Sequence, residues 1–289
     1  MQNIIAINSP EYPALLKTIG KNAPKQLYYK GKRDKSIFEN CLAVVGSRRM
    51  TIYGKQITQK LVTQLAVSGI TIVSGFMYGI DVAAHRAAVE AGGRTIAVMP
   101  CGIDRVHPEY QTKLYDEILD AKGLIISEYE GDAMPAYWTY PARNRIVAGL
   151  SKAVLVIEAG EKSGSLITAH LAEKFKRKLF VVPGPLTSTL SAGICQLIRE
   201  GYADVLTRAE DILEFFKISK SFIEAGSQHK LNFSGLENQI INQLKKEPME
   251  IDNLARLIGL PVAEIGKTLS IMQLKNLLFE EGGKYFIKS

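Results

Sequence analysis

The sequence predicts an α/β fold, a doubly wound parallel sheet followed by a smaller domain. Short apolar runs rich in Val and Ile alternate with helix-period segments between about residues 40 and 216. Strands that are apolar throughout are typical of a parallel sheet covered by helices on both faces. After residue 234 the alternation stops, and three short helical segments precede a hairpin signal. A chain of 289 residues is long enough for two domains of this kind.

The α/β domain is predicted to span residues 41–216, with residues 1–40 forming a short N-terminal extension. Helices are expected at 54–69, where Ile57, Leu61 and Leu65 share one face, and at the alanine-rich segment 81–93. The predicted strands are 42–45, 70–74, 94–99, 124–127, 153–158, 179–183 and 203–206.

A polar linker is predicted at residues 217–234, before a winged-helix-like domain at residues 235–289. Three helices and a hairpin turning at Gly282–Gly283 give the order of elements in a winged-helix module. Seven basic and seven acidic residues make this domain neutral, whereas a winged helix that reads duplex DNA usually has a basic recognition helix. We therefore expect this domain to contact protein rather than duplex DNA.

The net charge of +7 lies entirely in the first 234 residues. This charge favours an acidic partner such as nucleic acid, although charge alone equally fits a basic protein without one. The three cysteines are too far apart for a CxxC pair, which indicates small buried side chains in a reducing compartment. The chain shows neither a leader pattern at its N-terminus nor an apolar run of membrane length, so we expect a cytoplasmic protein without a membrane partner.

Three glycine-containing turns each follow a predicted strand and precede a predicted helix. They read VVGSRRMTIYG (44–54), SGFMYGIDVAAH (74–85) and EAGEKSGSLITAH (158–170). Such turns aim backbone N–H groups and a helix N-terminus at one place, which favours an anion such as phosphate. Each turn also has an explanation without a ligand, either an ordinary strand-to-helix turn with solvated arginines or a serine N-cap.

A fourth segment, TYPARNRIVAGL (139–150), places Tyr140 close to Arg143, Asn144 and Arg145. Aromatic rings beside arginines suit single-stranded nucleic acid, because bases stack on the rings while arginines hold the backbone. The two arginines cannot share a helix face, so one is expected to bind the ligand and the other to pair with a core carboxylate. The alternative is that the aromatic residues simply pack in a loop.

The sequence contains no convincing catalytic, metal or cofactor set. Asp81 and His85 stand four residues apart and His170 offers a further base, yet no third metal ligand has suitable spacing. The alanines around Asp81 and His85 favour a structural role in helix packing. GxGxxG, GxSxG and HExxH motifs are all missing from the sequence. We therefore predict neither a catalytic residue, a bound metal nor a cofactor.

Residues 42–206 resemble the DprA/Smf family of DNA-processing proteins. The resemblance includes GGRTIAVMPCGID (92–104), PARNRIVAGLS (141–151), the turn SGSLITA (163–169) and the glycine turns at 44–54 and 74–81. It implies an extended Rossmann-like domain, commonly followed by a winged helix, that binds single-stranded DNA and is not known as an enzyme. It also implies a homodimer that hands incoming strands to the RecA recombinase during natural transformation in competent cells and helps displace single-strand-binding protein.

By position, the resemblance implies that Arg48 contacts phosphate, that Tyr140 stacks on a base, and that residues 163–165 form a pocket rim. Most members read SGxARGID where this chain has SGFMYGID, so Tyr78 stands in place of an arginine and removes positive charge. The candidate nucleic-acid-binding residues are Gly46, Ser47, Arg48, Arg49, Ser74, Gly75, Tyr140, Arg143, Asn144, Arg145, Lys162, Ser163, Gly164, Ser165 and Thr168.

An alternative function is a Rossmann-like nucleotide-hydrolysing enzyme of the phosphoribohydrolase type. Such enzymes need a catalytic carboxylate beside the glycine-rich turn. Here Glu158 precedes the SGSLITAH turn, and the next acid after that turn is Glu173. The sequence therefore favours the DNA-binding mediator.

Overall fold

The structure, a computed structural model, describes residues 3–32, 34–218, 235–274 and 277–287. The chain divides into two compact units, Met1–Gly226 and Ser227–Ser289. Each unit has its own buried core, in agreement with the α/β domain and the smaller C-terminal domain expected from the sequence.

The first unit is built on a nine-stranded sheet with the order β1-β2-β6-β5-β4-β3-β7-β8-β9. Strands β3 to β9 are parallel to one another, whereas β2 is antiparallel to both β1 and β6. The strands are β1 (Asn3–Ala6), β2 (Gln26–Lys30), β3 (Cys41–Val45), β4 (Thr71–Ser74), β5 (Thr95–Gly102), β6 (Leu124–Tyr129), β7 (Ala153–Val156), β8 (Lys178–Val181) and β9 (Asp204–Val205).

Helices cover both faces of this sheet, as a doubly wound fold requires. Alternate residues of β3 show why: Ala43 and Val45 pack on one side with α5, α6 and α7, while Leu42 and Val44 pack on the other with α2, α3 and α8. The helices of this unit are α1 (Ala14–Lys17), α2 (Ile52–Val67), α3 (Ile80–Glu90), α4 (Thr112–Asp120), α5 (Thr139–Leu150), α6 (Gly164–Lys174), α7 (Ala192–Arg199) and α8 (Ala209–Phe215).

All seven strands predicted for the α/β domain are present, and the two helices predicted at 54–69 and 81–93 are α2 and α3. Residues 1–40 differ from the expected extension, because β1 and β2 add two strands to the sheet edge beside β6. These edge strands lack the continuous apolar run that identified the buried strands, since three of the four residues in β1 are exposed.

The N-terminal segment also packs against helix α5. A Cβ atom at Gly149 would lie 2.7 Å from Leu16 Cδ1, so only glycine allows this close approach. Arg177 Nη2 donates hydrogen bonds to the backbone oxygens of Leu15 and Gly149 at 2.9 and 3.3 Å. The described residues before β3 are therefore an integral part of the first unit.

Strand β3 marks the place where the winding of the sheet reverses. The chain proceeds from β3 through β4, β5 and β6 on one side, and from β7 through β8 and β9 on the other. In open α/β sheets, ligands bind outside the carboxyl ends of the strands at such a switch point. The turns after β3 and β7 contain two of the three glycine segments selected from the sequence.

The second unit confirms the predicted order of three helices and a hairpin. Gly282 and Gly283 both have positive φ, +59° and +78°, as the tight turn between β11 and β12 requires. One further short strand, β10, was not predicted and pairs with β12. The elements are α9 (Gly235–Leu244), β10 (Met249–Glu250), α10 (Ile251–Ile258), α11 (Val262–Leu274), β11 (Leu278–Glu281) and β12 (Lys284–Ile287).

The predicted linker 217–234 lies outside the described residues except for Lys217 and Ile218. Among the helices that the structure describes, none combines the length and the apolar character needed to cross a bilayer.

Candidate nucleic-acid interface

A cavity of about 740 Å³ opens at the carboxyl ends of β3, β4 and β7. It gathers residues from all four segments selected from the sequence, which are otherwise up to about 120 positions apart. The predicted site residues that line it are Gly46, Ser47, Arg48, Arg49, Gly75, Tyr140, Arg143, Asn144, Lys162, Ser163, Gly164, Ser165 and Thr168.

Two candidate residues, Ser74 and Arg145, do not line this cavity. Ser74 is fully buried, and its Oγ donates to the backbone oxygen of Val44 at 2.6 Å. Arg145 pairs with Glu128 on β6, with Nη2 at 2.6 Å from Oε1, and its Nη1 donates to the backbone oxygen of Ala142. Both side chains are engaged by the fold itself.

The start of α2 already holds an anion, the carboxylate of Glu158. Glu158 is buried and accepts hydrogen bonds from the backbone nitrogen and hydroxyl of Thr51 at 2.9 and 2.5 Å. Any side chain at Gly54 would collide with this carboxylate, so glycine leaves room for it. The N–H groups predicted to meet a phosphate at α2 are thus partly satisfied from within the chain.

The start of α3 also carries an internal carboxylate. Asp81 lies in the first turn of α3 and accepts a hydrogen bond from the backbone nitrogen of Met77 at 3.3 Å. Burial raises the pKa of Asp81, while the nearby positive charge of Arg143 acts in the opposite direction. Asp81 also lines the cavity, so this carboxylate places an internal negative charge at the start of α3.

The start of α6 also lies at the cavity, and no internal carboxylate is hydrogen-bonded to it among the described residues. Ser163 caps this helix, its Oγ accepting from the backbone nitrogen of Ser165 at 3.4 Å, and Gly164 has open space around its Cα. Asn144 reaches the same turn, since its Nδ2 donates to the backbone oxygen of Gly164 at 3.5 Å. Of the three predicted helix N-termini, that of α6 is the one suited to an outside anion.

Three exposed cations surround the cavity: Arg48, Arg49 and Lys162. None of the ion pairs in the described part of the chain involves any of the three. Arg48 lies over the ring of Tyr140, with its guanidinium carbon 5.4 Å from the ring centroid. Unpaired guanidinium groups at a cavity mouth are well suited to phosphate oxygens.

Tyr140 is held in place by His107, a residue that sequence analysis did not select. His107 Nε2 and the Tyr140 hydroxyl lie 2.9 Å apart, and the two rings meet edge to face. The cavity also includes Tyr137, whose side chain is 98% exposed. Neither Tyr137 nor His107 was among the candidate residues, and nothing in the sequence near residue 107 indicates a contact with Tyr140, 33 positions along the chain.

Arg143 forms the floor of the cavity and is only 4% exposed. Its Nη1 donates to the backbone oxygen of Val98, and its Nε has no hydrogen-bond partner among the described residues. Burial lowers the pKa of Arg143 to about 10, with Asp81 opposing the shift, so the guanidinium stays charged at neutral pH. Arg143 and Arg145 therefore both lie near carboxylates. Asn144, the residue between them, lies in the wall of the cavity.

Three further titratable groups near the sheet, His85, Cys41 and Cys101, are buried. His85 is fully buried, its Nδ1 lies 2.7 Å from Thr95 Oγ1, and burial lowers its pKa to about 3, so its ring is neutral. Burial raises the pKa of the Cys41 and Cys101 thiols to about 12 and 11, which makes them poor nucleophiles. Within the described residues, no three His, Cys, Asp or Glu side chains cluster as metal ligands would.

Two family models match the chain, one for each unit. Residues 3–217 match the model for DNA recombination-mediator protein A, and residues 228–284 match the DprA winged helix domain. Protein Smf of Escherichia coli K12 is 33% identical over 290 residues, covering 98% of this chain and 76% of that protein. DNA processing protein DprA of Streptococcus pneumoniae R6 is 42% identical over 196 residues, 68% of each chain.

Solved structures agree with these sequence matches. The X-ray structure of DNA processing protein A from S. pneumoniae has a TM-score of 0.68 at 38% identity, covering 74% of each chain. A structure of DNA processing protein A from Helicobacter pylori, which concerns the single-stranded DNA binding mode of that protein, has a TM-score of 0.65 at 36% identity. It covers 75% of this chain and 96% of that one. The fold, both family models and these relatives agree, and the chain belongs to the DprA/Smf family of DNA-processing proteins.

Proposed function

We propose that the cavity at the carboxyl ends of β3, β4 and β7 binds single-stranded DNA. The observation that carries this proposal is the meeting of three unpaired cations, an aromatic ring and an open helix N-terminus in one cavity. Arg48, Arg49 and Lys162 supply charge for phosphates, and Tyr140 supplies a face for a base. The H. pylori relative, whose structure concerns single-stranded DNA binding, supports the same ligand here.

A single strand suits this cavity better than a duplex does. Stacking on Tyr140 requires a base that has left its own stack, which costs little in a single strand and several kcal/mol in a duplex. Phosphate contacts and stacking carry little base information, so we expect little sequence preference. The neutral charge of the C-terminal unit gives no support to a separate duplex-binding site.

The resemblance to the family supports a finer proposal. The protein protects incoming single strands during natural transformation, loads the RecA recombinase onto them and helps displace single-strand-binding protein. We further propose that it acts as a homodimer in the cytoplasm, where its three free cysteines remain reduced. The neutral winged-helix unit is then available for protein contacts.

Binding is tested by fluorescence anisotropy with a labelled single strand of about 30 nucleotides and the matching duplex, each over a salt series. We expect tight binding to the single strand, with log affinity falling by about 0.7 per log unit of salt for each phosphate neutralised. The duplex should bind much more weakly. Equal affinity for the single strand and the duplex would contradict the proposal, because it would show that binding does not require an unstacked base.

The mediator role is tested on the same strand covered with single-strand-binding protein. Adding this protein should shorten the lag before RecA hydrolyses ATP on the covered strand, because loading precedes filament growth. An unchanged lag, with strand binding intact, would overturn RecA loading while leaving the DNA-binding proposal standing.

The proposed homodimer is tested by light scattering of the free protein. The measured mass should be twice the mass of one chain.

The geometry weakens the alternative of a nucleotide-hydrolysing enzyme. Glu158, the acid before the glycine-rich turn that the sequence argument considered, uses both carboxylate oxygens to hold Thr51 at the start of α2. A carboxylate so engaged is poorly placed to act as a general base or nucleophile. We therefore propose a protein that binds and transfers DNA without cleaving it.

A further inference from the structure

A pair of exposed tyrosines, Tyr78 and Tyr110, lies beside the cavity but is not part of its lining. Their ring centroids are 5.7 Å apart with an interplanar angle of 31°. Tyr78 is 44% exposed and Tyr110 is 67% exposed, so each ring keeps an open face. The two large rings therefore form a tilted aromatic pair at the protein surface.

Both tyrosines stand on segments that the fold holds firmly. Tyr78 follows Met77, whose backbone nitrogen donates to the buried Asp81, and Phe76 in the same turn is fully buried. Tyr110 precedes the buried Gln111, and its hydroxyl accepts a hydrogen bond from Gln111 Nε2 at 3.2 Å. A preorganised aromatic surface loses little conformational entropy when a ligand stacks on it.

The tyrosine pair adjoins the cavity. Tyr78 directly follows Met77, which lines the cavity. Tyr110 lies three residues after His107, whose Nε2 is 2.9 Å from the hydroxyl of Tyr140, another lining residue. Each tyrosine of the pair is thus connected through a short stretch of chain to the cavity.

We propose that Tyr78 and Tyr110 form a second stacking site, which takes nucleobases of the same single strand as it leaves the cavity. This inference rests on the proposed function and adds to it a location and a chemical class, the flat face of a base. The path of the strand is then set by charge at Arg48 and by stacking at the tyrosine pair.

The proposal is tested with two strands of about 12 nucleotides, a length within the range covered by one binding domain. One strand carries thymine throughout, and the other has the same backbone without bases. We expect the double variant Tyr78→Ala/Tyr110→Ala to bind the thymine strand about tenfold more weakly than the unaltered protein, and to bind the base-free strand within about twofold. The double variant Tyr78→Phe/Tyr110→Phe, which keeps both rings, should bind like the unaltered protein.

The outcomes separate this inference from the proposed function. If the unaltered protein binds neither strand, the proposed function fails. If it binds both and the alanine variant loses nothing on the thymine strand, or loses equally on both strands, the tyrosine pair is not a base site and the inference is overturned. Urea unfolding of each variant shows that the comparison is made on folded protein.

A second variant tests the same site without removing its bulk. Tyr78→Arg replaces a stacking ring with a phosphate contact, so its salt slope should rise by about 0.7 and its preference for the thymine strand over the base-free strand should fall severalfold. An unchanged salt slope together with an unchanged preference for bases would contradict the proposal.

Discussion

Replacing Arg143 with methionine is expected to lower the free energy of unfolding by about 3–5 kcal/mol. The guanidinium is 4% exposed, donates to the backbone oxygen of Val98 and faces the buried Asp81. Its removal would take away a positive charge that opposes the raised pKa of the buried Asp81, and would leave a backbone oxygen without a donor. Urea unfolding followed by circular dichroism measures the loss directly.

Arg145→Met is the matched control, since it removes an arginine two positions away on the same helix. The Arg145–Glu128 pair is partly exposed, so this variant should cost only about 1 kcal/mol. The double variant Asp81→Asn/Arg143→Met should recover part of the loss, because the unpaired buried charge is gone. If Arg143→Met is as stable as the unaltered protein but binds DNA poorly, Arg143 is a direct phosphate contact and the structural role assigned to it is wrong.

Arg48→Ala is expected to weaken single-strand binding about ten- to hundredfold. The variant loses one charge-assisted contact, which contributes about 1.5–3 kcal/mol to binding. Arg48 is exposed, lines the cavity and lies over the Tyr140 ring, so it can hold a phosphate beside a stacked base. The slope of log affinity against log salt should also fall by about 0.7 in magnitude. Anisotropy titrations over the salt series give both quantities.

Arg86→Ala serves as the control for lost charge. Arg86 is exposed on helix α3 and does not line the cavity, so its removal should change affinity by less than about twofold. An Arg48 variant that binds with unaltered affinity and slope would show that the cavity mouth does not receive the strand. Equal losses in both variants would point to a diffuse effect of net charge instead of a contact.

The sequence predicted which turns meet at the cavity better than it predicted the burial and contacts of each residue there. Parallel strands place their carboxyl ends at one edge, so the turns after residues 45, 74 and 156 had to meet. The depth of a side chain is a different matter: Arg143 is buried and Arg48 is exposed, although both were selected from the sequence as candidate DNA contacts. The guanidinium of Arg143 is buried because α5 packs against β5, where it donates to the backbone oxygen of Val98.

The internal carboxylates could not be foreseen for a similar reason. Glu158 reaches the start of α2 across 107 positions of sequence, and it occupies a place where the glycine turn alone predicts an outside anion. The edge strands β1 and β2 were missed because they are short and partly exposed, and so lack the apolar signature of the central strands. The winged-helix order was predictable because its helices and glycine hairpin are local features.

The most direct test of the central claim, that the cavity receives the strand, is photochemical crosslinking of a single strand containing 5-iodouracil, followed by peptide mapping. The account predicts crosslinks to the rings at the cavity, Tyr137 and Tyr140, and to Tyr78 or Tyr110 beside it, because iodouracil reacts with aromatic rings on which it stacks. Crosslinks confined to residues 235–287, with none in these four tyrosines, would contradict the account by placing the strand on the winged-helix unit.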